Sequence, residues 1–281
     1  FDAAEKIIVV PWKSQKERQI SEDLHAALSF TGANSKGRRM NNSVSRMSQF
    51  ALPMMLRARQ TCVVPHLIRN AVGKADDDEV NKQDDEIFAE AMGSSSKIDA
   101  VIQVILDRKD NNRSKLVFCH FRGEIDVIRE RLLSKGVNTA TFDGRTSKDE
   151  REILLQSQCD VLILQIQTGC EGLNLQQFKE VYFVSPTWNP AVEDQAVARS
   201  HRIGQTDPVD VFRFIMEGFD GSAITLDSHV RAVQIFKRKE ADLLNKACEK
   251  TKKAKKAKNA KNAKNAKKAK KHNKRKLKII S

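Results

Sequence analysis

Lys115-Leu-Val-Phe-Cys-His-Phe121 leads into Arg122-Gly-Glu-Ile-Asp-Val-Ile-Arg-Glu-Arg-Leu-Leu-Ser134 and then, past Lys135-Gly-Val, into Asn138-Thr-Ala-Thr-Phe142. The first and last runs are short, apolar and rich in aromatic or β-branched residues, the pattern of buried strands. Between them Glu124–Ser134 has helical spacing. Strand, helix and strand joined this closely make a βαβ unit with its two strands parallel. Runs at Val161–Ile166, Val181–Val184 and Val209–Ile215 extend the pattern, with helical stretches over Ser147–Gln156 and Pro190–Arg202. The expected fold is therefore α/β, a parallel sheet with helices on both faces. Ser94-Ser-Ser96 supplies a cap for a helix that places Ile98, Val101, Ile102 and Ile105 on one face.

Residues 1–70 read mainly as helical, with a short extended run ending at Pro11 and helices over Ser14–Phe30 and Val44–Arg59. Ala75–Asp85 holds six acids in eleven residues and reads as an exposed linker. A last helix is expected from Ser222 to about Lys250. The expected domains are 1–75, 76–94 (acidic linker), 95–245 (the α/β lobe) and 246–281 (a Lys/Ala/Asn-rich tail).

The formal charge of +14 suggests a nucleic-acid partner, but it is unevenly placed. Residues 251–281 hold fifteen Lys or Arg and no acid, which leaves residues 1–250 at a net charge of −1. The tail repeats Asn-Ala-Lys with a period of three and has almost no apolar residues, so disorder is expected. It would act as a nucleic-acid arm, as an import signal around Lys274-Arg275-Lys276, or as a solubilising extension. Five scattered cysteines without a Cys-x-x-Cys pair argue against a disulfide framework and a zinc site and favour a reducing, intracellular compartment. No apolar run reaches the length of about 18 residues that a membrane span needs. The start at Phe1, without Met, reads as a piece of something longer.

In open α/β sheets ligands bind beyond the carboxyl ends of the strands. There the sequence sets His120-Phe-Arg-Gly123, Asp143-Gly-Arg-Thr146, Gln167-Thr-Gly-Cys-Glu-Gly-Leu-Asn-Leu175 and Ser185-Pro-Thr-Trp-Asn-Pro190. Gly169 and Gly172 permit close backbone approach to a sugar or phosphate, and Asn174 suits a ribose hydroxyl. The last loop opens the helix carrying Gln195, Arg199 and Arg202, with the two arginines three residues apart on one face. Guanidinium forks match phosphate oxygens and the charge that develops in phosphoryl transfer.

Residues 96–239 resemble the second RecA-like lobe of superfamily-two helicases, specifically SWI/SNF-type DNA-translocating ATPases, with the repair-associated branch nearest. Lys115–Phe121 resembles motif IV, Thr141-Phe-Asp-Gly-Arg-Thr146 the following Asp-Gly element, and Gly169–Leu175 motif V. Trp188-Asn-Pro190 with Gln195–Gln205 resembles the Trp-Asn-Pro and motif VI block, and Leu52–Leu67 the helix before the second lobe. The resemblance implies ATP-driven translocation on duplex DNA, with ATP and Mg²⁺ held mainly by a first RecA-like lobe. It implies that Arg199 and Arg202 act as arginine fingers, oriented by Gln195, with Gly172, Asn174 and Gln205 on the nucleotide side. Arg122, Gly144, Arg145, Thr168, Trp188 and Asn189 fall on the DNA side, and the compartment implied is the nucleus, in DNA repair or chromatin remodelling. Residues 1–75 become the end of the first lobe with a helical protrusion.

Two motifs depart from the family. Cys170 replaces a glycine and Glu171 adds an acid beside the expected phosphates, and Val63-Val64 stands where the family has Asn-His before the proline at position 65. Gly32–Arg39 has the Gly-x4-Gly spacing of a phosphate loop but carries Arg38 and Arg39 where Lys and Ser/Thr are needed. The chain alone is thus not expected to hydrolyse ATP. The alternatives are a non-catalytic nucleic-acid-binding adaptor that acts through its basic tail and a lobe of an RNA helicase, against which the Trp-Asn-Pro block argues.

Overall fold

A computed structural model describes residues 3–26, 28, 51–64, 95–147, 150, 158–167, 174–201, 207–220 and 223–252. The acidic linker, the Gly32–Arg39 segment and the tail beyond 252 lie outside the described residues, as do the disorder and import expectations attached to that tail. The chain divides into two units, Phe1–Gln234 and Ile235–Ser281. The second is helical over 235–252.

Among the described residues the first unit holds six parallel strands in the order β1-β6-β5-β2-β4-β3. They are β1 (Ala3–Val10), β2 (Ser114–Cys119), β3 (Thr139–Phe142), β4 (Val161–Gln165), β5 (Phe178–Phe183) and β6 (Val209–Met216). The helices are α1 (Gln15–Ala26), α2 (Ala51–Thr61), α3 (Ser96–Asp107), α4 (Arg122–Ser134) and α5 (Pro190–Ser200), followed by a last helix that begins at 226. Side chains alternate across each strand, so every strand feeds two cores. Val117, Cys119, Val161, Ile163, Tyr182 and Phe214 meet α3 and α4 through Ile98, Ile105, Ile125 and Ile128. Leu116, Phe118, Leu162, Leu164, Val181 and Phe183 meet α5 through Ala196 and Val197. Both sheet faces are covered, which is why these strands read as continuous apolar runs.

Local signals end the helices where the chain must turn. Ser95 Oγ accepts from Ile98 N at 3.2 Å and caps α3. Gly136, with φ +74°, closes α4, and its N–H reaches Leu133 O at 2.9 Å. At the amino ends of the strands, Glu180 of β5 is fully buried and accepts from Arg108, Asn111 and Tyr182, with Arg108 and Arg113 also on Asp210. This network fixes the β5–β6 edge of the order.

The sequence before Ser95 is not a separate layer among the described residues. β1 pairs with β6 along its whole length, from Ala3 opposite Val209 to Val10 opposite Met216. Glu17 of α1 is fully buried and takes Ser96 N at 3.0 Å, so it sits at the positive end of α3. His25 of α1 takes Leu226 N on Nε2 at 2.8 Å, and its Nδ1 lies 2.6 Å from Ser21 O. Since the amide can only donate, Nε2 accepts, and Nδ1 carries the proton of a neutral ring.

Burial lowers the His25 pKa below its ordinary value of 6.5. The unfolded chain therefore binds the proton more readily than the folded one. The His25 contribution to stability is present above pH 6.5 and is lost as pH falls through the depressed folded value. Urea unfolding at about pH 7.5 and about pH 5 should show lower stability at the acid end, and His25→Gln should flatten that difference. An equal pH dependence in the variant would show that other groups carry it.

Candidate functional site

Where β2 and β3 end, two loops come together. Arg122 opens α4, and Asp143, Gly144 and Arg145 follow β3. A Cβ on Gly144 would stand 3.0 Å from Arg122 Nη2, so a side chain there would crowd the guanidinium. Arg145 lies between two carboxylates, 2.8 Å from Asp126 Oδ1 and 2.5 Å from Asp143 Oδ2. Its hydrogen bonds are the largest cause holding the Asp143 carboxyl below the usual carboxylate range, and they raise the Arg145 pKa in turn. Arg122 stands beside the first N–H groups of α4, a position that favours an anion. Glu124 takes the two N–H groups just before the helix, His120 N at 2.9 Å and Phe121 N at 3.1 Å. An anion here meets Arg122 directly, whereas Arg145 must first exchange a carboxylate.

Between the ends of β2 and β5 the groups are buried. Arg59 of α2 donates to His120 Nε2 at 2.7 Å and to Pro186 O. A guanidinium only donates, so His120 Nε2 must accept, and its 3.2 Å approach to Ser185 O is a contact without a proton between. Burial and then the Arg59 charge hold His120 well below its ordinary pKa. Beneath it Lys97 Nζ donates to Ser185 Oγ at 3.0 Å and pairs with Asp227, which also takes Met216 N at 3.1 Å. Cys62, sealed in the same core, has its thiol pushed up to about 12 by burial, which makes it inert as a nucleophile.

The loop after β5 leads into α5. Trp188 is half-buried against Ala58, Leu226 and Val230 and meets His229 edge-on at 6.1 Å. Asn189 caps α5 by accepting Ala191 N at 3.1 Å, and Pro190 occupies the first helical position. Pro190, Glu193, Ala196, Val197 and Ser200 form the buried face. Gln195 is exposed one turn before the half-buried Arg199, so these two share the outer side.

The direction of α5 separates the candidate residues. It starts beyond the carboxyl end of β5 and runs back, over about 16 Å for eleven residues. Its end meets the residues that lead into β5, through a 3.3 Å bond from Leu175 N to Arg199 O. Asn174 and Arg199 therefore stand near the amino end of β5, whereas Arg122, Gly144, Arg145, Trp188 and Asn189 stand near the carboxyl ends. The sequence expectation gathers all of them at one edge; the structure makes two groups with α5 between them. Arg202, Gly172, Gln205 and Thr168 lie outside the described residues, as do Cys170 and Glu171. Arg59, Lys97, Glu193, Asp227 and Gln234 escape the sequence reading. For Arg59 the available signal is its helix of leucine and arginine, which carries a family resemblance but no mark of a site.

The chain is similar in sequence and in fold to known proteins. The family model described as "Helicase conserved C-terminal domain" matches residues 96–204. DNA repair protein RAD5 of Candida albicans is 38% identical over 136 residues, covering 44% of this chain and 12% of that protein. DNA repair protein RAD5A of Arabidopsis thaliana is 31% identical over 150 residues, covering 52% and 14%. This is a SWI/SNF-type helicase C-terminal lobe. The same fold occurs in the crystal structure of the C-terminal part of the Fun30 ATPase domain, at TM-score 0.58 and 17% identity over 83% of this chain and 88% of that one. β1 and α1 lie outside the residues that the family model matches. The chain spans 12–14% of the length of these two repair relatives. Among the described residues no group of three His, Cys, Asp or Glu could hold a metal ion, and no described helix is long and apolar enough to cross a membrane.

Proposed function

We propose that this chain is the second half of an ATP-driven duplex-DNA translocase that serves DNA repair or remodelling in the nucleus. The observation that carries it is the division made by α5, with Asn174 and Arg199 at one end and the Arg122–Gly144–Arg145 cluster beyond the other end of the strands. A motor needs two such places, one that senses a nucleotide and one that follows a phosphate backbone. The names of the relatives, two repair proteins and an ATPase domain, support this assignment.

In this function Arg199 and Arg202 place positive charge where a terminal phosphate is transferred, and Gln195 orients them. Gly172, Asn174 and Gln205 line the sugar and phosphate side. The corner of Asn174 and Arg199 has the cationic and amide chemistry that suits a nucleotide. ATP supplies the transferable phosphoryl group, and Mg²⁺ falls to a first RecA-like lobe that carries the phosphate loop. Arg122 and the α4 N-terminus take the DNA backbone, with Gly144, Arg145, Thr168, Trp188 and Asn189 along the same track. Such contacts fix register on the duplex without reading its sequence. The duplex-stimulated ATP turnover of this chain, assayed with a first lobe, tests the proposal: stimulation is expected, and turnover indifferent to DNA would refute it.

The basic tail gives a separate expectation. Removing residues 251–281 should weaken duplex binding and flatten its salt dependence, by about 0.9 in slope for each phosphate that the tail neutralises. Coupling of ATP turnover to DNA should persist. An unchanged affinity and slope would leave the tail no role on DNA. Loss of coupling with the lobe intact would favour the adaptor alternative.

A further inference from the structure

Glu193, fully buried in the first turn of α5, accepts Thr187 N at 2.7 Å, Thr187 Oγ1 at 2.9 Å and Gln234 Nε2 at 2.5 Å. It also pairs with Arg213 of β6. Arg213 Nε reaches Glu5 Oε1 of β1 at 2.6 Å, and Arg231 Nη2 reaches the same oxygen at 2.9 Å. Arg231 Nη1 then donates to Gln234 Oε1 at 3.2 Å. The ring closes: Glu5, Arg213, Glu193, Gln234 and Arg231 join β1, β6, α5 and the last helix. Its two acids balance its two arginines, so the buried charge is compensated within the ring. Only Glu193 lies inside residues 96–204, the span matched by the family model.

We infer that this ring is a positioning device that seats α5, with Glu193 as its pivot, and thereby sets how Arg199 is presented to the nucleotide when DNA is held at the other end. The inference rests on the motor function proposed above. A helix of eleven residues moves nearly as a rigid rod, so its far end follows the seat of its first turn. Glu193 and Gln234 hold that first turn to Thr187, whose O accepts Gln234 Nε2 at 2.6 Å, in the loop that carries Trp188 and Asn189. Arg213 also lies 4.7 Å from the Phe183 ring centroid, which locks it to the end of β5. An isolated ion pair would do none of this. A closed ring over four elements leaves the helix one seating, because a tilt breaks several bonds together.

Two variants test the inference. Glu193→Gln removes the charge at the pivot. Glu5→Gln loosens the ring from the partly exposed edge strand, with less risk to folding. Hydrogen exchange on the chain itself is expected to quicken about tenfold or more across 190–200 in both, while β2 and β4 amides keep their protection. With a first lobe present, both variants should lower kcat for duplex-stimulated ATP turnover about fivefold or more, with the KM for ATP and the duplex affinity within about twofold. A folded variant with unchanged α5 exchange and unchanged kcat overturns the inference, as does a kcat loss that disappears when the assay is run well below the melting point. If α5 exchange quickens but Arg199→Ala keeps full turnover, the motor function itself fails and takes the coupling role with it.

Discussion

Arg199→Ala and Arg202→Ala are each expected to lower duplex-stimulated ATP turnover by about 10³-fold or more, the range associated with arginine fingers. The expectation is specific to turnover. If the guanidinium acts on charge that develops during phosphoryl transfer, kcat falls while the KM for ATP moves little. Lysine should restore little, since an ammonium on a flexible stem lacks the planar fork. Gln195→Ala should cost less, because it acts through the arginines. If either arginine mainly held nucleotide in the ground state, KM would rise and kcat would survive, and the finger role would be wrong.

The largest effect on stability is expected at Lys97. Its side chain is 0% exposed and that of its partner Asp227 is 1% exposed, with Ser185 Oγ and Met216 N as further partners. Lys97→Met leaves a carboxylate sealed in the core. Removing one member of a buried pair costs about 3–5 kcal/mol. At about 2–4 °C per kcal/mol for a unit of this size, the melting temperature should fall by roughly 6–20 °C. The double variant Lys97→Met/Asp227→Leu should recover a large part of that loss, because neither charge is then left alone. If the double variant were as unstable as the sum of two singles, packing at Lys97 rather than the ion pair would be responsible.

The lobe was legible where the signal is local. β-branched and aromatic runs placed β2 to β6, and Val209–Ile215 differs from the observed β6 by one residue. Pro190 marked the start of α5, whose end falls at Ser200 among the described residues. What escaped was long-range. Ile7-Ile-Val-Val10 read as extended, but nothing local says that its partner is β6, some 206 residues on. Lys97 and Asp227 are 130 residues apart, and Gln234 meets Thr187 across 47. Arg145 read as a phosphate contact; only the fold shows Asp126, on the facing turn of α4, beside it. The arginine helix was legible, but its direction matters as much as its residues. A helix after a parallel strand returns to the strand's start, and that carries Arg199 away from the carboxyl-edge loops.

The most direct measurement is complementation between two lobes. ATP turnover would be followed for a separate first lobe carrying the phosphate loop, with duplex DNA, before and after this chain is added. The wild-type chain should raise turnover by orders of magnitude over either lobe alone, and the Arg199→Ala/Arg202→Ala chain, folded and still bound to DNA, should not. Full turnover with the double variant, or hydrolysis by this chain alone at the rate of the pair, would contradict the claim that its arginines complete an ATP site shared with another lobe.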